Sequence, residues 1–243
     1  MAAPDLSGKT ALVTGASRGI GRSIAIALAK SGAHILALAR TAGALEELDD
    51  DIRAAGGKAS LIPMDLTEGD GIERLAGALQ GRFPALDILV LNAGALGELA
   101  PVPDIDPKVW QHTLDINVTT NWRLLRALDP MLRASADARV IGLSSRVGGE
   151  APKAFWASYA VTKAAFDMLL RTYAEEMAKT NVHVSLISPG PMRTDMRKLA
   201  MPGEDPKTLP HPDELIPLVY HLLTREEREP LRISFREWRE TQS

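Results

Sequence analysis

The 243-residue chain reads as a single α/β domain, a doubly wound parallel sheet with helices on both faces. Three observations predict it. Short, β-rich apolar runs alternate with longer stretches of helical periodicity, the pattern of parallel strands joined by right-handed crossovers. The runs are apolar on both sides instead of alternating, as in a sheet covered on both faces. A glycine-rich turn follows the first run directly, where open parallel sheets bind ligands beyond the carboxyl ends of their strands.

The runs that predict strands are TALVT at 10–14, HILALA at 34–39, ASLIP at 59–63, LDILVL at 86–91, RVIGL at 139–143 and VHVSLI at 182–187. Helices are expected over 19–31, 41–55, 68–81, 107–133 and 157–179. Asp106-Pro107 opens the fourth helix with an N-cap and a proline at the first helical position. Gly56-Gly57 closes the second, since glycine adopts the left-handed C-cap at least cost. Pro130 is expected to end or kink the long helix, because it lacks a donor and its ring meets the preceding turn. From Pro202 to Pro212 the chain is rich in proline and charge, and a helix over 213–225 follows. With no repeat, linker or low-complexity stretch, the domain is expected to span 1–243, with 195–225 forming a substrate lid and its helix.

Composition narrows the function. Hydrophobic residues make up 45% of the chain, enough for a sizeable core. A net charge of −3 offers no basic field for nucleic acid or acidic membranes. The absence of cysteine excludes disulfides, thiolate metal sites and cysteine nucleophiles. The five histidines (His34, His112, His183, His211 and His221) are scattered, so no metal is expected. The start MAAPDLSGKT lacks the basic and apolar segments of a signal peptide, and no apolar run approaches the roughly 18 residues of a membrane span. A cytoplasmic location follows as the expectation.

Two ends of the sheet carry chemistry. The first strand runs into Gly15-Ala16-Ser17-Arg18-Gly19-Ile20-Gly21, where glycines permit a tight turn and let backbone N–H groups and a helix N-terminus approach a pyrophosphate. The spacing is G-x-x-x-G-x-G, not G-x-G-x-x-G. The second strand ends at Ala39-Arg40, where a carboxylate would bind the ribose 2′-hydroxyl of NAD. Arg40, with Arg18 from the loop, instead suits a 2′-phosphate. At the other end Tyr159 and Lys163 lie four apart, on one helix face. A nearby ammonium is expected to lower the phenol below its usual pKa near 10, towards useful proton exchange. Upstream, the hydroxyl of Ser144 or Ser145 can hydrogen-bond a substrate oxygen. Phe155 and Trp156 precede Tyr159 and could line a pocket.

Taken in order over residues 9–196, TGASRGIG, LNAG, the helix Asn117, the Ser–YxxxK set and SPGPMRT resemble the short-chain dehydrogenase/reductase family. The resemblance implies a Rossmann fold and NADP(H) as cofactor. It implies that Asp65 binds the adenine amino group with Leu66 beside the ring, and that Asn92, Ala93 and Gly94 leave room for the adenosine. Pro189 and Gly190 would turn over the nicotinamide, and Met192 and Thr194 would bind its carboxamide and the phosphates. Ser145 better matches the family's catalytic serine. Its gap to Tyr159 is one residue longer than usual, which leaves the choice between Ser144 and Ser145 open. Asn117 would hold a water that lets Tyr159 be reprotonated, and Lys163 would bind the ribose. The expected reaction is hydride transfer between NADP(H) and a small carbonyl or alcohol substrate. The alternative is an NADPH-binding sensor or scaffold without turnover. A homodimer is expected through the helices at 107–133 and 157–179. A homotetramer is disfavoured by like charges at Arg232, Arg236 and Arg239, where symmetry would set each residue near its twin.

Overall fold

A computed structural model describes residues 2–149, 151–225 and 231–242. The elements run β1 (Thr10–Thr14), α1 (Gly19–Lys30), β2 (His34–Ala39), α2 (Ala42–Ala54), β3 (Lys58–Pro63), α3 (Gly71–Gln80), β4 (Ile88–Leu91) and α4 (Pro107–Leu114). After a π-helical turn at Asp115–Thr119 come α5 (Thr120–Ala134), β5 (Ala138–Leu143), α6 (Ala157–Met177), β6 (Val182–Ser188), α7 (Asp195–Ala200), α8 (Ile216–Thr224), β7 (Leu231–Ser234) and α9 (Phe235–Thr241). Among the described residues the strands form one seven-stranded sheet, in the order β3-β2-β1-β4-β5-β6-β7. Every pairing in it is parallel. The order reverses between β1 and β4, so a crevice opens at the carboxyl ends of these two strands.

Successive strand residues point to opposite faces, and each face has its own apolar layer. Ala11, Val13, Ile35 and Ala37 pack with Ile24 and Leu28 of α1, Leu48 of α2 and Leu218 of α8. Leu12, Leu36 and Val140 pack with Ile72 of α3, Leu128 of α5, and Phe166 and Leu170 of α6. Full burial of each such leucine or phenylalanine contributes about 1.5–3 kcal/mol. The two-faced apolar runs are thus the sheet interior of a doubly wound domain.

The caps lie where local chemistry places them. Asp106 accepts from the backbone N–H groups of Lys108 and Val109 at 2.7 and 3.2 Å, with Pro107 as the first helical residue. Gly56, just beyond α2, has φ +79°. Three expectations need correction. The 107–133 helix contains the π-helical turn, which places Asn117 within it. Pro130 does not end that helix, which runs on to Ala134. Proline removes only one donor from the ladder, and Leu128, Met131 and Leu132 around it are buried in the α3–α6 layer. Finally, the helix expected over 213–225 begins as a 3-10 turn at Pro212–Leu215 and is α-helical only over Ile216–Thr224, and the proline-rich segment before it carries a 3-10 turn at Pro206–Thr208. Arg197 pairs with Glu204 through two contacts at 2.5 and 2.6 Å, and Arg193 donates to the carbonyls of Pro206 and Leu209.

Candidate active site

The glycine loop leaves β1 with Gly15 at φ +63° and Gly19 at φ +54°. Asn92, at the end of β4, ties the loop down: its side-chain amide donates to the carbonyls of Thr14 and Gly15 at 2.9 and 3.1 Å. The Thr14 hydroxyl accepts from the N–H groups of Asn92 and Ala93, both at 3.0 Å, and donates to the Val90 carbonyl at 3.1 Å. A Cβ on Gly21 would overlap both the Gly15 carbonyl and the Asn92 amide. The helix N-terminus therefore sits hard against the loop. Thr14 was not singled out from the sequence; its signal was a hydroxyl at the carboxyl end of a central strand.

The residues present fit a dinucleotide. The first turn of α1 has no side-chain cap and no acidic residue, so its N–H groups and positive dipole end are uncompensated by the protein. Arg18 and Arg40 are both exposed at the rim, in loose contact with Asp195 at 3.8 Å and Asp65 at 3.9 Å. Ala39 is nearly buried and offers no carboxylate. The Asp65 carboxyl lies below its ordinary value: burial pushes it up, but two hydrogen bonds from Thr67, with Arg40 and His112, more than offset that. Leu66 is buried in the α3–α6 layer. Ser17 and Ile20 are half-buried in the loop, and Ile20 packs on the α1 layer. Beyond β6, Pro189-Gly190 turns with Gly190 at φ +71°, and Met192 is buried. Thr194 caps α7 by accepting from the Arg197 N–H at 3.3 Å. Its methyl group lies against Gly19, so this loop meets the glycine loop across the sheet.

At the chemical end, α6 lies against the segment after β5 because two glycines permit it. A Cβ on Gly142 would overlap the Leu170 side chain, and one on Gly148 would come within 2.8 Å of the Lys163–Ala164 backbone. This approach brings Ser145, Tyr159 and Lys163 together. The Ser145 hydroxyl lies near enough to Tyr159 to lower its pKa, whereas Ser144 turns away and donates to the buried Asp167. Of the two serines, Ser145 is the one beside the phenol. Lys163 is buried, donates to the Leu143 carbonyl at 2.7 Å, and lies 5.7 Å from the Tyr159 ring centre. Asn117 is fully buried, and its amide is spent within the protein. It accepts from the Ala95 N–H at 2.8 Å and donates to the Ala95 carbonyl and the Thr162 hydroxyl, each at 2.9 Å. The π-helical turn thus aims Asn117 across to α6, where it brackets the turn that carries Tyr159 and Lys163. Gly94 lies close by: a Cβ there would come to 3.2 Å from the Asn117 amide oxygen and 3.8 Å from the Lys163 ammonium.

The protonation states differ from the expectation drawn from spacing. Burial pushes Tyr159 up to about 12, against the hydrogen bond from Ser145 that lowers it, and Asp167 adds to the rise. Burial also pushes Lys163 down to about 8, opposed by Asp167. An ammonium four residues away does lower a phenol in water, but here desolvation acts on both groups and wins. Near neutral pH the pair is a phenol beside a lysine that can still be charged.

An apolar wall closes the site. Leu96, Trp156 and Ala200 form a small buried cluster against which Leu99, Val147, Tyr159, Met196 and Met201 pack. Trp156 meets the Tyr159 ring edge-on at 6.0 Å. Phe155 is 58% exposed, with its backbone at φ +72°. Among the described residues no cluster of three or more metal-ligating side chains occurs, and no helix is long and apolar enough to cross a membrane.

Comparison with known proteins bears on this arrangement. A family model described as short chain dehydrogenase matches residues 9–205. The chain belongs to the short chain dehydrogenase family. Its relatives in this oxidoreductase family include the uncharacterized oxidoreductase YciK of Escherichia coli, 32% identical over 95% of this chain and 92% of that protein. They also include the rhamnolipids biosynthesis 3-oxoacyl-[acyl-carrier-protein] reductase of Pseudomonas aeruginosa, 37% identical over 88% and 83%. Two similar solved structures are short chain dehydrogenases of Shigella flexneri complexed with NADP and of Escherichia coli complexed with NADPH. Each is 32% identical with a TM-score of 0.91, over 96% of this chain and 99% of that one.

Proposed function

We propose that this short chain dehydrogenase is an NADP(H)-dependent oxidoreductase acting on a carbonyl or alcohol carbon, with Tyr159 as its general acid and base. The observation that carries the reading is the convergence of Ser145, Tyr159 and Lys163 beside an uncapped glycine-loop helix. Arg18 and Arg40 would hold the 2′-phosphate, the glycine loop the diphosphate, and the 189–194 turn the nicotinamide end. Asp65, Leu66, Asn92, Ala93 and Gly94 would border the adenosine side. When bound, the cofactor supplies or accepts the hydride.

The chain's own work is protonic and electrostatic. With its pKa pushed up to about 12, Tyr159 keeps its proton at neutral pH, the state needed to donate to a carbonyl oxygen. The Ser145 hydroxyl can hydrogen-bond the same oxygen and steady its developing charge. A charged Lys163 stabilises the phenolate left on Tyr159 and can bind ribose hydroxyls. Asn117 holds the helix turn that carries both. This assignment favours reduction near neutral pH, because oxidation would need Tyr159 as phenolate. Loss of NADPH absorbance at 340 nm with a panel of carbonyl compounds tests it. Tyr159→Phe is expected to retain NADPH binding and lose turnover by roughly 10²-fold or more. Reduction by Tyr159→Phe at the unmutated rate would refute the mechanism, and tight NADPH binding without turnover of any carbonyl would favour a sensor or scaffold.

We infer a homodimer through the outer faces of α5 and α6. Trp122 is 47% exposed, and Val161 and Met168 of α6 are similarly uncovered, more apolar surface than one chain needs there. The like-charge argument against a tetramer is weaker than the sequence suggests. Arg232 turns inward to Asp167, Arg236 pairs with Glu240, and Arg239 with Glu214. Light scattering at micromolar concentration is expected to give twice 26.2 kDa; a mass four times that figure, persisting on dilution, would refute the dimer.

A further inference from the structure

Asp167 is a buried carboxylate that the mechanism above does not use. On α6 it stands one turn beyond Lys163 and two beyond Tyr159, so all three share a helix face. One carboxylate oxygen accepts from the Ser144 hydroxyl; the other accepts from Arg232 Nε at 2.9 Å. Arg232 comes from β7, the short edge strand, and its second nitrogen donates to the Ser145 carbonyl at 3.2 Å. The side chains of Arg232 and Asp167 are only 22% and 12% exposed. The two serines after β5 are thereby held from behind, Ser144 through its hydroxyl and Ser145 through its backbone.

We propose that Asp167, locked by Arg232, is a positioning residue of the active site: it fixes the Ser144–Ser145 segment and sets a buried carboxylate one helical turn from Lys163. The proposal rests on the functional reading given above. The charged groups facing Asp167 are Lys163 and Arg171 on its own helix and Arg232 from β7, with Glu237 of α9 beside Arg232. Burial holds the Asp167 carboxyl above its ordinary value, although Ser144, Lys163 and Arg171 oppose the rise. The guanidinium at hydrogen-bond distance favours the ionised form further. That charge acts on its neighbours in one direction: it raises the proton affinity of both Lys163 and Tyr159. Through Arg232, β7 is therefore part of the site's electrostatics.

Asp167→Asn is the discriminating change. It keeps an oxygen that can accept from Ser144 and removes the charge. The Lys163 side-chain resonance, followed through a pH titration of lysine-labelled protein without cofactor, is expected to titrate lower by on the order of one pH unit. In carbonyl reduction by the full protein, the alkaline limb of kcat is expected to move the same way, with the KM for NADPH unchanged. A folded Asp167→Asn protein in which Lys163 titrates as in the unmutated chain would overturn the proposal. If the unmutated protein reduces no carbonyl but the Lys163 shift is present, the functional reading fails and the network stands. Should Asp167→Asn not fold, Ser144→Ala tests the positioning arm: it retains the ion pair and is expected to lower kcat severalfold with the alkaline limb in place. Unmutated kcat in Ser144→Ala would overturn that arm.

Discussion

Lys163→Met turns the burial of Lys163 into a measurable quantity. The ammonium has been moved from an ordinary value of 10.5 to about 8, chiefly by burial. At about 1.4 kcal/mol per pH unit, keeping it charged in the fold near pH 7 costs roughly 3.5 kcal/mol. The substitution also removes the charged hydrogen bond to the Leu143 carbonyl, worth about 1.5 kcal/mol. Methionine is unbranched and adaptable enough to follow the lysine stem, and Asp167 keeps its contact with Arg232. The balance is a gain of about 2 kcal/mol, or roughly 4–8 °C in Tm for a domain of this size. Between pH 8 and 10.5 the unfolded chain holds more protons on Lys163 than the folded chain does. The unmutated protein therefore gains stability as pH rises through that window, and the advantage of Lys163→Met shrinks with it. Urea denaturation of both proteins at pH 7 and pH 10 measures the two gaps. Equal stability at pH 7, or a gap that does not change with pH, would refute the idea that a charged lysine is held here at a cost to folding. The same variant should be inactive, so the stabilisation would come at the expense of function.

The other expectations concern the cofactor end. Arg40→Asp is expected to weaken NADPH by about 1.5–3 kcal/mol, the scale of a charged hydrogen bond, and to leave NADH little affected. Calorimetric titration of the unmutated protein with both cofactors is the control, and equal affinities there would sink the 2′-phosphate reading. Gly21→Ala should cost roughly 2–3 kcal/mol of stability and most of the NADPH affinity, because its Cβ meets backbone and the Asn92 amide that cannot retreat. Gly77→Ala, inside α3 with nothing within 4 Å of its Cβ, should instead stabilise by about 0.5–1 kcal/mol. A Gly21→Ala protein as stable as Gly77→Ala would contradict the close packing of loop and helix.

Local spacing settled much of this protein. Six strand runs, the cap at Asp106 and the left-handed Gly56 depend on neighbours within a few residues, and each is found where its chemistry predicts. The pairing of Tyr159 with Lys163 is equally local, one turn on one helix. The last strand was not legible, although Leu231-Arg232-Ile233-Ser234 alternates as an edge strand should: four residues carry little signal until β6 is there to pair with them. The choice between Ser144 and Ser145 also waited on the tertiary structure, because it depends on which hydroxyl meets Tyr159 and which meets Asp167. Asn117 was legible as a helix asparagine, but its bonds to Ala95 and Thr162 required the π-helical turn and the packing of α6. The protonation of Tyr159 shows the division most clearly. Spacing alone places an ammonium near a phenol and argues for a lowered pKa. Burial, a property of the whole fold, raises it to about 12 and keeps the phenol protonated near neutral pH. Pattern determines which groups can meet; only the assembled core sets how much water remains around them, and desolvation then determines their charge.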